Sequence, residues 1–313
     1  MWSKKTLQLR VSSSAHFFIS TVKGAHALFI DELADAIQHS SPRYTNQPIV
    51  KHDGGTRDIC IPDALTKRIQ RLILRDIDSS ITFLPCVMAF RPGTSILDNA
   101  RAHQGSNYLI HYDLADFFDN INEARIKDEL KRQHFTDSFI STVIKWCVYR
   151  DHLPQGAPTS PILSNLVCYS LDRRITKLTN KLGAVYTRYA DDIHISGDVN
   201  ILHCQNVFKR IIRTENFIIN NRKTDITALD TPDVHRDGCN INRPRKYHII
   251  TGLTVNGEKI SIRPEYLRQT WKAVKFDPLS PKTKGKIAFI KQIDKAEGER
   301  IRNESNGNNL GKE

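Results

Sequence analysis

Val185-Tyr186-Thr187-Arg188-Tyr189-Ala190-Asp191-Asp192-Ile193-His194-Ile195-Ser196 is the stretch that decides the fold. Apolar and polar side chains alternate through Val185–Arg188 and again through Ile193–Ser196, the two-residue period of a strand. Between the two runs, Tyr189-Ala190-Asp191-Asp192 leaves room only for a tight turn, so the segment reads as a β-hairpin with acidic residues at its tip. Adjacent aspartates are also ordinary turn chemistry. The meaning of this pair therefore depends on what surrounds it.

Working outward, Asn107–Asp113 is a short apolar and aromatic strand candidate that ends on a third aspartate. Asn122-Glu123 opens a helix carrying Ile126 and Leu130, and Thr136 opens another with Phe139, Ile140, Val143, Ile144 and Cys147 on one face. Gln155-Gly156-Ala157-Pro158 reads as a loop. Ser160-Pro161 then caps a helix whose stripe runs through Leu163, Leu166, Val167, Leu171, Ile175 and Leu178. A helix over about 200–214 precedes a short strand at Ile218-Ile219-Asn220. Strands at His248–Val255 and Lys259–Ile262 turn at Asn256-Gly257.

Upstream, a helical segment breaks at Pro42 and Pro48, and Asp53-Gly54-Gly55 marks a turn. Arg57–Ile61 reads as a strand, and Pro62 opens a helix with Leu65, Ile69, Leu72 and Ile73 on one side. From Pro264 the chain is helical and basic, and Ser305–Glu313 reads as a disordered tail. The order strand, helix, helix, hairpin, helix, strand predicts an α+β fold: an antiparallel sheet with helices on one face.

Lys and Arg outnumber Asp and Glu by 46 to 34, a net charge of +12. Such a surplus suits a polyanion, although charge can also serve solubility alone. The six cysteines (Cys60, Cys86, Cys147, Cys168, Cys204 and Cys239) form no C-x-x-C pair, which argues for buried thiols and a reducing cytoplasm. Met1–Ile30 has neither the pattern of a secretory signal nor that of a membrane span.

Nucleotidyl transfer uses two divalent cations about 4 Å apart, one acting on the attacking hydroxyl and one on the leaving pyrophosphate. Mg²⁺ takes oxygen ligands and keeps waters, so two or three converging carboxylates suffice. Asp113 on one strand, with Asp191 and Asp192 on a neighbouring hairpin tip, would meet that need.

Tyr189-Ala190-Asp191-Asp192 resembles the signature box of reverse transcriptases, and His111-Tyr112-Asp113-Leu114-Ala115-Asp116-Phe117-Phe118 resembles their first acidic box. Gln155–Asn165 is similar to the loop and helix between these boxes. Ala89-Phe90-Arg91-Pro92-Gly93 and Arg57–Gln70 resemble the fingers boxes of bacterial members. Asn99-Ala100-Arg101-Ala102-His103 and Thr251-Gly252-Leu253 resemble two boxes of bacterial retron enzymes, with Ile250 standing where the retron pattern has valine.

The resemblance implies a right-hand polymerase. Its expected parts are an N-terminal helical segment (1–55), fingers (56–89 and 121–158), palm (90–120 and 159–256), a helical thumb (257–304) and a tail (305–313). It implies two Mg²⁺ ions held by Asp113, Asp191 and Asp192, with the Leu114 carbonyl as a further ligand. Phe118 would sit under the incoming sugar and exclude a 2′-hydroxyl, while one of Phe117 and Phe118 belongs to the core. Gln155 and Gly156 would meet nucleotide and template. Arg57 and Arg91 would meet triphosphate or template unless they are solvated surface. Lys223 would serve the leaving pyrophosphate unless it is an exposed turn lysine.

Tyr189, Thr251 and Gly252 would line the nucleic acid near the primer end. Asn99 and His103 would either touch RNA or lock structure, the second being the commoner fate of a polar pair at this spacing. Lys282, Lys284 and Lys286 would form an RNA-contacting thumb face or a solvated one.

The implied function is a retron reverse transcriptase. It would use a cognate structured non-coding RNA as template and 2′-hydroxyl primer, consume dNTPs, yield branched single-stranded DNA, and act in antiphage defence with a separate effector or toxin. Other bacterial reverse transcriptases, of diversity-generating or abortive-infection type, and an RNA-binding scaffold that restrains a toxin are the alternatives.

Overall fold

The structure is a computed structural model that describes residues 35–50, 54–230, 245–256 and 259–307. In chain order it runs β1 (Tyr44–Val50), β2 (Thr56–Pro62), α1 (Ala64–Ser80), α2 (Ile96–Arg101), β3 (Tyr108–Asp113), α3 (Glu123–Arg132) and α4 (Asp137–Cys147). Next come α5 (Ser160–Val167), α6 (Tyr169–Leu182), β4 (Val185–Tyr189), β5 (Asp192–Gly197), α7 (Asn200–His203), α8 (Gln205–Thr214) and β6 (Asp225–Ala228). The last elements are β7 (His248–Ile250), β8 (Leu253–Asn256), β9 (Lys259–Ile262), α9 (Pro264–Phe276), α10 (Pro281–Ile293) and α11 (Lys295–Gly307). Contacts divide the chain into two compact units: the residues up to Phe83 with Asp116–Tyr169, and Leu84–Ala115 with the residues from Ser170 onward.

In the first unit, β1 and β2 form an antiparallel ribbon. The strand β1 stands inside the expected N-terminal helical segment (1–55), between and beyond the breaks at Pro42 and Pro48. A two-stranded ribbon has an outer edge on each strand, where a proline need not cost a ladder bond. The helix α1 is capped by Asp63, whose carboxylate accepts from Thr66 N, so the helix starts after Pro62 rather than on it. Its buried stripe is Ile69, Ile73 and Ile77, with Leu65 and Leu72 only partly covered. Asn122 and Thr136 cap α3 and α4 as expected. Ser160 does not cap α5. The N-cap position falls to Thr159, which makes no side-chain capping bond, and Ser160 Oγ donates instead to the Pro154 carbonyl. The single helix expected from Ser160 to Leu178 breaks at Cys168.

The second unit is built on a four-stranded antiparallel sheet of order β4-β5-β3-β6. Alternation along β3 sends Tyr108, Ile110 and Tyr112 to one face and Leu109, His111 and Asp113 to the other. The first face lies on helices: Tyr112 donates to the Gln205 carbonyl at the start of α8, and Tyr186 of β4 donates to Asp172 of α6. The second face is partly covered by α2 and by a separate sheet β7-β8-β9, through a cluster of Ala100, Leu109, Ile250, Leu253 and Val255. The helices therefore do not all share one face. The edge strand is β6, a few residues beyond the expected Ile218–Asn220, which contributes only a bridge from Ile219 to Leu114.

The strand expected over His248–Val255 is two strands. Thr251 and Gly252 have φ of 44° and 83°, the paired positive values of a tight hairpin turn, and they fold β7 back onto β8. The expected turn beyond Asn256 is consistent with the pairing of Asn256 and Lys259, although Gly257 itself lies outside the described residues. Helices α9, α10 and α11 pack with Ile262 of β9 through Val274, Ile287, Ile290 and Ile301. The helix α11 continues to Gly307, so the first residues of the expected tail are helical and Ser305 is buried. Most of the expected N-terminal helical segment, the rest of the tail and Cys239 lie outside the described residues. Cys60, Cys86, Cys147 and Cys168 are free and buried, as their spacing suggested, and Cys204 is free and half-buried. Among the described residues no helix is long and apolar enough to cross a membrane.

Candidate active site

The hairpin tip forms as its alternation predicts. Tyr189 pairs with Asp192, leaving Ala190 and Asp191 as the two turn residues. Ala190 has φ of 57°, a conformation that costs a side-chain-bearing residue roughly 1–2 kcal/mol. Such strain persists only where the surroundings impose it. The brace is Arg188, fully buried, which donates Nη1 to the Ala190 carbonyl at 3.2 Å. Its guanidinium meets the carboxylate of Asp172 twice, at 2.8 and 2.7 Å, and Tyr186 donates to the same carboxylate. The Arg188 backbone is tied to Cys86 and Met88 on its outer side.

Across the sheet, Asp113 is the register partner of Asp192. The backbone continues this junction: Leu114 N donates to the Asp191 carbonyl, and Asn220 N donates to the Asp113 carbonyl. Asp113, Asp191, Asp192 and the Leu114 backbone are thereby gathered at one end of the sheet. Lys223 joins them, with Nζ 3.3 Å from Asp113 Oδ2. Burial, then the neighbouring Asp192 and Asp113 carboxylates, holds the Asp191 carboxyl above its usual range, while Lys223 works the other way.

Two histidines extend the site. His111 and His194 are also register partners, so β3 reads His-x-Asp and β5 Asp-x-His on the same face. His111 Nε2 lies 2.7 Å from Asp192 Oδ1, and its ring stacks on His194 with centroids 4.8 Å apart. His194 is fully buried, which pushes its imidazole well below the ordinary range and keeps it neutral. The role of these histidines was not anticipated, although the two alternations are visible in the sequence. A cavity of about 250 Å³ opens beside them, lined in part by His111, Asp192, Lys223, Arg245, Thr251 and Gly252.

Among the described residues, no three His, Cys, Asp or Glu side chains are already gathered as a metal cage; Asp113 is engaged by Lys223 and Asp192 by His111. The donor set still fits a hard divalent cation. It is all oxygen, it stands on neighbouring strands, and burial, with the neighbouring carboxylates adding to it, raises Asp191.

Other expected site residues fall elsewhere. Asn99 and His103 are completely buried, so as they stand neither presents a surface to RNA. His103 bridges Ser196 Oγ and Thr187 Oγ1, each at 2.7 Å, and burial pushes its imidazole down to about 3. Asn99 Nδ2 reaches Thr251 Oγ1 at 3.4 Å, so it helps hold the strained Thr251-Gly252 turn. Arg91 donates Nη1 to the Leu84 and Val87 carbonyls, bracing a loop.

In the first unit, Gly156 is required by a close approach to β2. A Cβ there would stand 2.9 Å from the Cys60 carbonyl oxygen, and the adjoining Gln155 carbonyl accepts from Cys60 N at 2.7 Å. Arg57 is exposed on β2. Phe117 is buried and Phe118 half-buried, in edge-on contact at 5.3 Å. On α10, Lys282 and Lys284 are exposed, and Lys286 lies over the Tyr266 ring.

The family described as reverse transcriptase (RNA-dependent DNA polymerase) matches residues 49–274. The chain belongs to the reverse transcriptase family. It is 32% identical over 215 residues to the retron Ec86 reverse transcriptase of Escherichia coli, covering 68% of this chain and 62% of that protein. It is 31% identical to the retron Mx162 enzyme of Myxococcus xanthus, covering 69% and 48%, and 32% identical to the retron Ec73 enzyme of Escherichia coli, covering 79% and 82%. These likenesses place it with the bacterial retron type. The chain covers less than two thirds of the length of the Ec86 and Mx162 enzymes.

Among solved structures, the telomerase of Candida albicans with a telomeric RNA fragment aligns at a TM-score of 0.52 and 12% identity, covering 85% of this chain and 57% of that one. Apo telomerase from Candida tropicalis aligns at 0.53 and 12%, covering 78% and 50%. Both likenesses are of fold, the right-hand polymerase fold.

Proposed function

We propose that this chain is an RNA-directed DNA polymerase that primes from a 2′-hydroxyl of its own structured RNA and makes a short branched single-stranded DNA. The observation that carries the reading is the register pairing of Asp113 with Asp192, with Asp191 on the adjoining turn, in a chain of the retron family. Asp113, Asp191 and Asp192, with the Leu114 carbonyl, would hold two Mg²⁺ ions. When bound, these supply a more acidic attacking hydroxyl and charge neutralisation at the leaving pyrophosphate.

The chain's own groups do the rest. Lys223 adds a positive charge beside Asp113 to meet the pyrophosphate, and Phe118 closes the space beneath the incoming sugar. The 2′-oxygen of the RNA bonds to the α-phosphorus of a dNTP as the bond to pyrophosphate breaks. Folded RNA supplies the positioning that a paired primer end normally gives. In this reading the product and its RNA work in the cytoplasm with a separate effector protein in antiphage defence.

The test is expression with the native upstream locus, followed by purification, RNA digestion and treatment of the remaining DNA with a 2′,5′-debranching enzyme. A shift in DNA mobility after debranching is expected. A linear DNA with an ordinary 3′-primed junction would move the chain to another class of bacterial reverse transcriptase.

A further inference from the structure

We infer that His111 is a positioning residue for the metal site: it holds Asp192 by one carboxylate oxygen so that the other is presented to a divalent cation. This rests on the metal-dependent reading above but concerns a residue outside the carboxylate set. His111 Nε2 is 2.7 Å from Asp192 Oδ1, whereas Asp192 Oδ2 has no hydrogen-bond partner among the described residues. A carboxylate tethered by one oxygen loses rotamer freedom before the ion arrives, and such outer hydrogen bonds are worth roughly 10–100-fold in metal affinity or activity.

The tether is itself held. His111 stacks on His194 at 4.8 Å with the ring planes 19° apart, and His194 stands at 5.8 Å from His103, which is locked between Thr187 and Ser196. Three rings thus run from the core of the four-stranded sheet to Asp192. The two-residue period puts histidine and aspartate of each strand on one face, and the register sets His111 diagonally across from Asp192. His111 needs its proton on Nε2 to donate to the carboxylate, which leaves Nδ1 as the acceptor in the neutral ring.

The experiment separates the hydrogen bond from the stack. His111→Phe keeps a ring over His194 and removes the donor; His111→Gln keeps a donor and removes the ring. Mn²⁺ binding to the purified protein is titrated by electron paramagnetic resonance without nucleotides, alongside melting temperature and the metal dependence of primer extension. The expected result is a Kd for Mn²⁺ raised about 10–100-fold in His111→Phe with little change in melting, and largely restored in His111→Gln. Wild-type affinity in His111→Phe, or a loss in His111→Gln as large as in His111→Phe, would overturn the inference. If wild type itself bound no Mn²⁺ sensitive to Asp191→Asn, the metal-dependent reading would fall first.

Discussion

Two carboxylate sites flank the same hairpin, and they are built in opposite ways. On the helical side, Asp172 is saturated: Arg188 meets it twice, Tyr186 once, and the pair is sealed from solvent. On the other side, Asp113, Asp191 and Asp192 share one lysine and one imidazole, and burial with like charge raises Asp191. A closed ion pair is a structural post. Carboxylates crowded without matching positive charge make a site that gains from a cation. The first site holds the turn in its strained shape so that the second exists.

The sharpest way to break this contrast is to open the closed site. Arg188→Met alone strands a buried carboxylate and is expected to destabilise the protein by about 3–5 kcal/mol, measured by urea unfolding. Arg188→Met with Asp172→Leu removes both charges and should recover most of that loss. If the double variant were as unstable as the single, the pair would have some role other than mutual neutralisation.

His103→Leu is the next largest. It leaves the Thr187 hydroxyl without its buried partner and Ser196 with Ser106 alone, and should cost about 1–3 kcal/mol. The salt dependence of RNA binding should stay as in wild type, since a buried neutral imidazole meets no phosphate. A flatter salt slope would return His103 to the RNA surface.

The smallest effect concerns Asp191. Its folded carboxyl range lies above its unfolded one, so the folded form binds the proton more tightly. The group therefore opposes folding at neutral pH, and the cost disappears as pH falls through the folded range and below the unfolded one. Without divalent metal, Asp191→Asn should melt slightly above wild type at pH 7, with the gap closing in acid. An Asp191→Asn that melts below wild type at pH 7 would show the carboxylate already neutralised by its neighbours.

The open site was more legible in the sequence than the closed one. Alternation through Val185–Ser196 with a turn between specifies the hairpin, and Asp113 at the end of an aromatic strand specifies its neighbour. Asp172 and Arg188 were not legible as a pair, because a buried arginine in a chain with 46 Lys and Arg looks like any other. Nothing local predicts that α6 will pass beneath β4.

His111 and His194 could have been found from the His-x-Asp and Asp-x-His alternation once the strands were aligned. Pro48 concealed β1. The hairpin at Thr251-Gly252 was hidden because a β-branched residue seldom accepts positive φ. The spacing of Asn99 and His103 favours a structural role over RNA contact, but it does not say that their partners are Thr251 and the β4–β5 hydroxyls.

The central claim is that Asp113, Asp191 and Asp192 form one metal-dependent catalytic group. The most direct measurement is primer extension on an RNA template by wild type and by Asp191→Asn with Asp192→Asn, with RNA binding and melting followed on the same preparations. Wild type should extend the primer only with a divalent cation, and the double variant should bind RNA and melt like a folded protein yet extend nothing. Extension by the double variant at a rate near wild type would contradict the account.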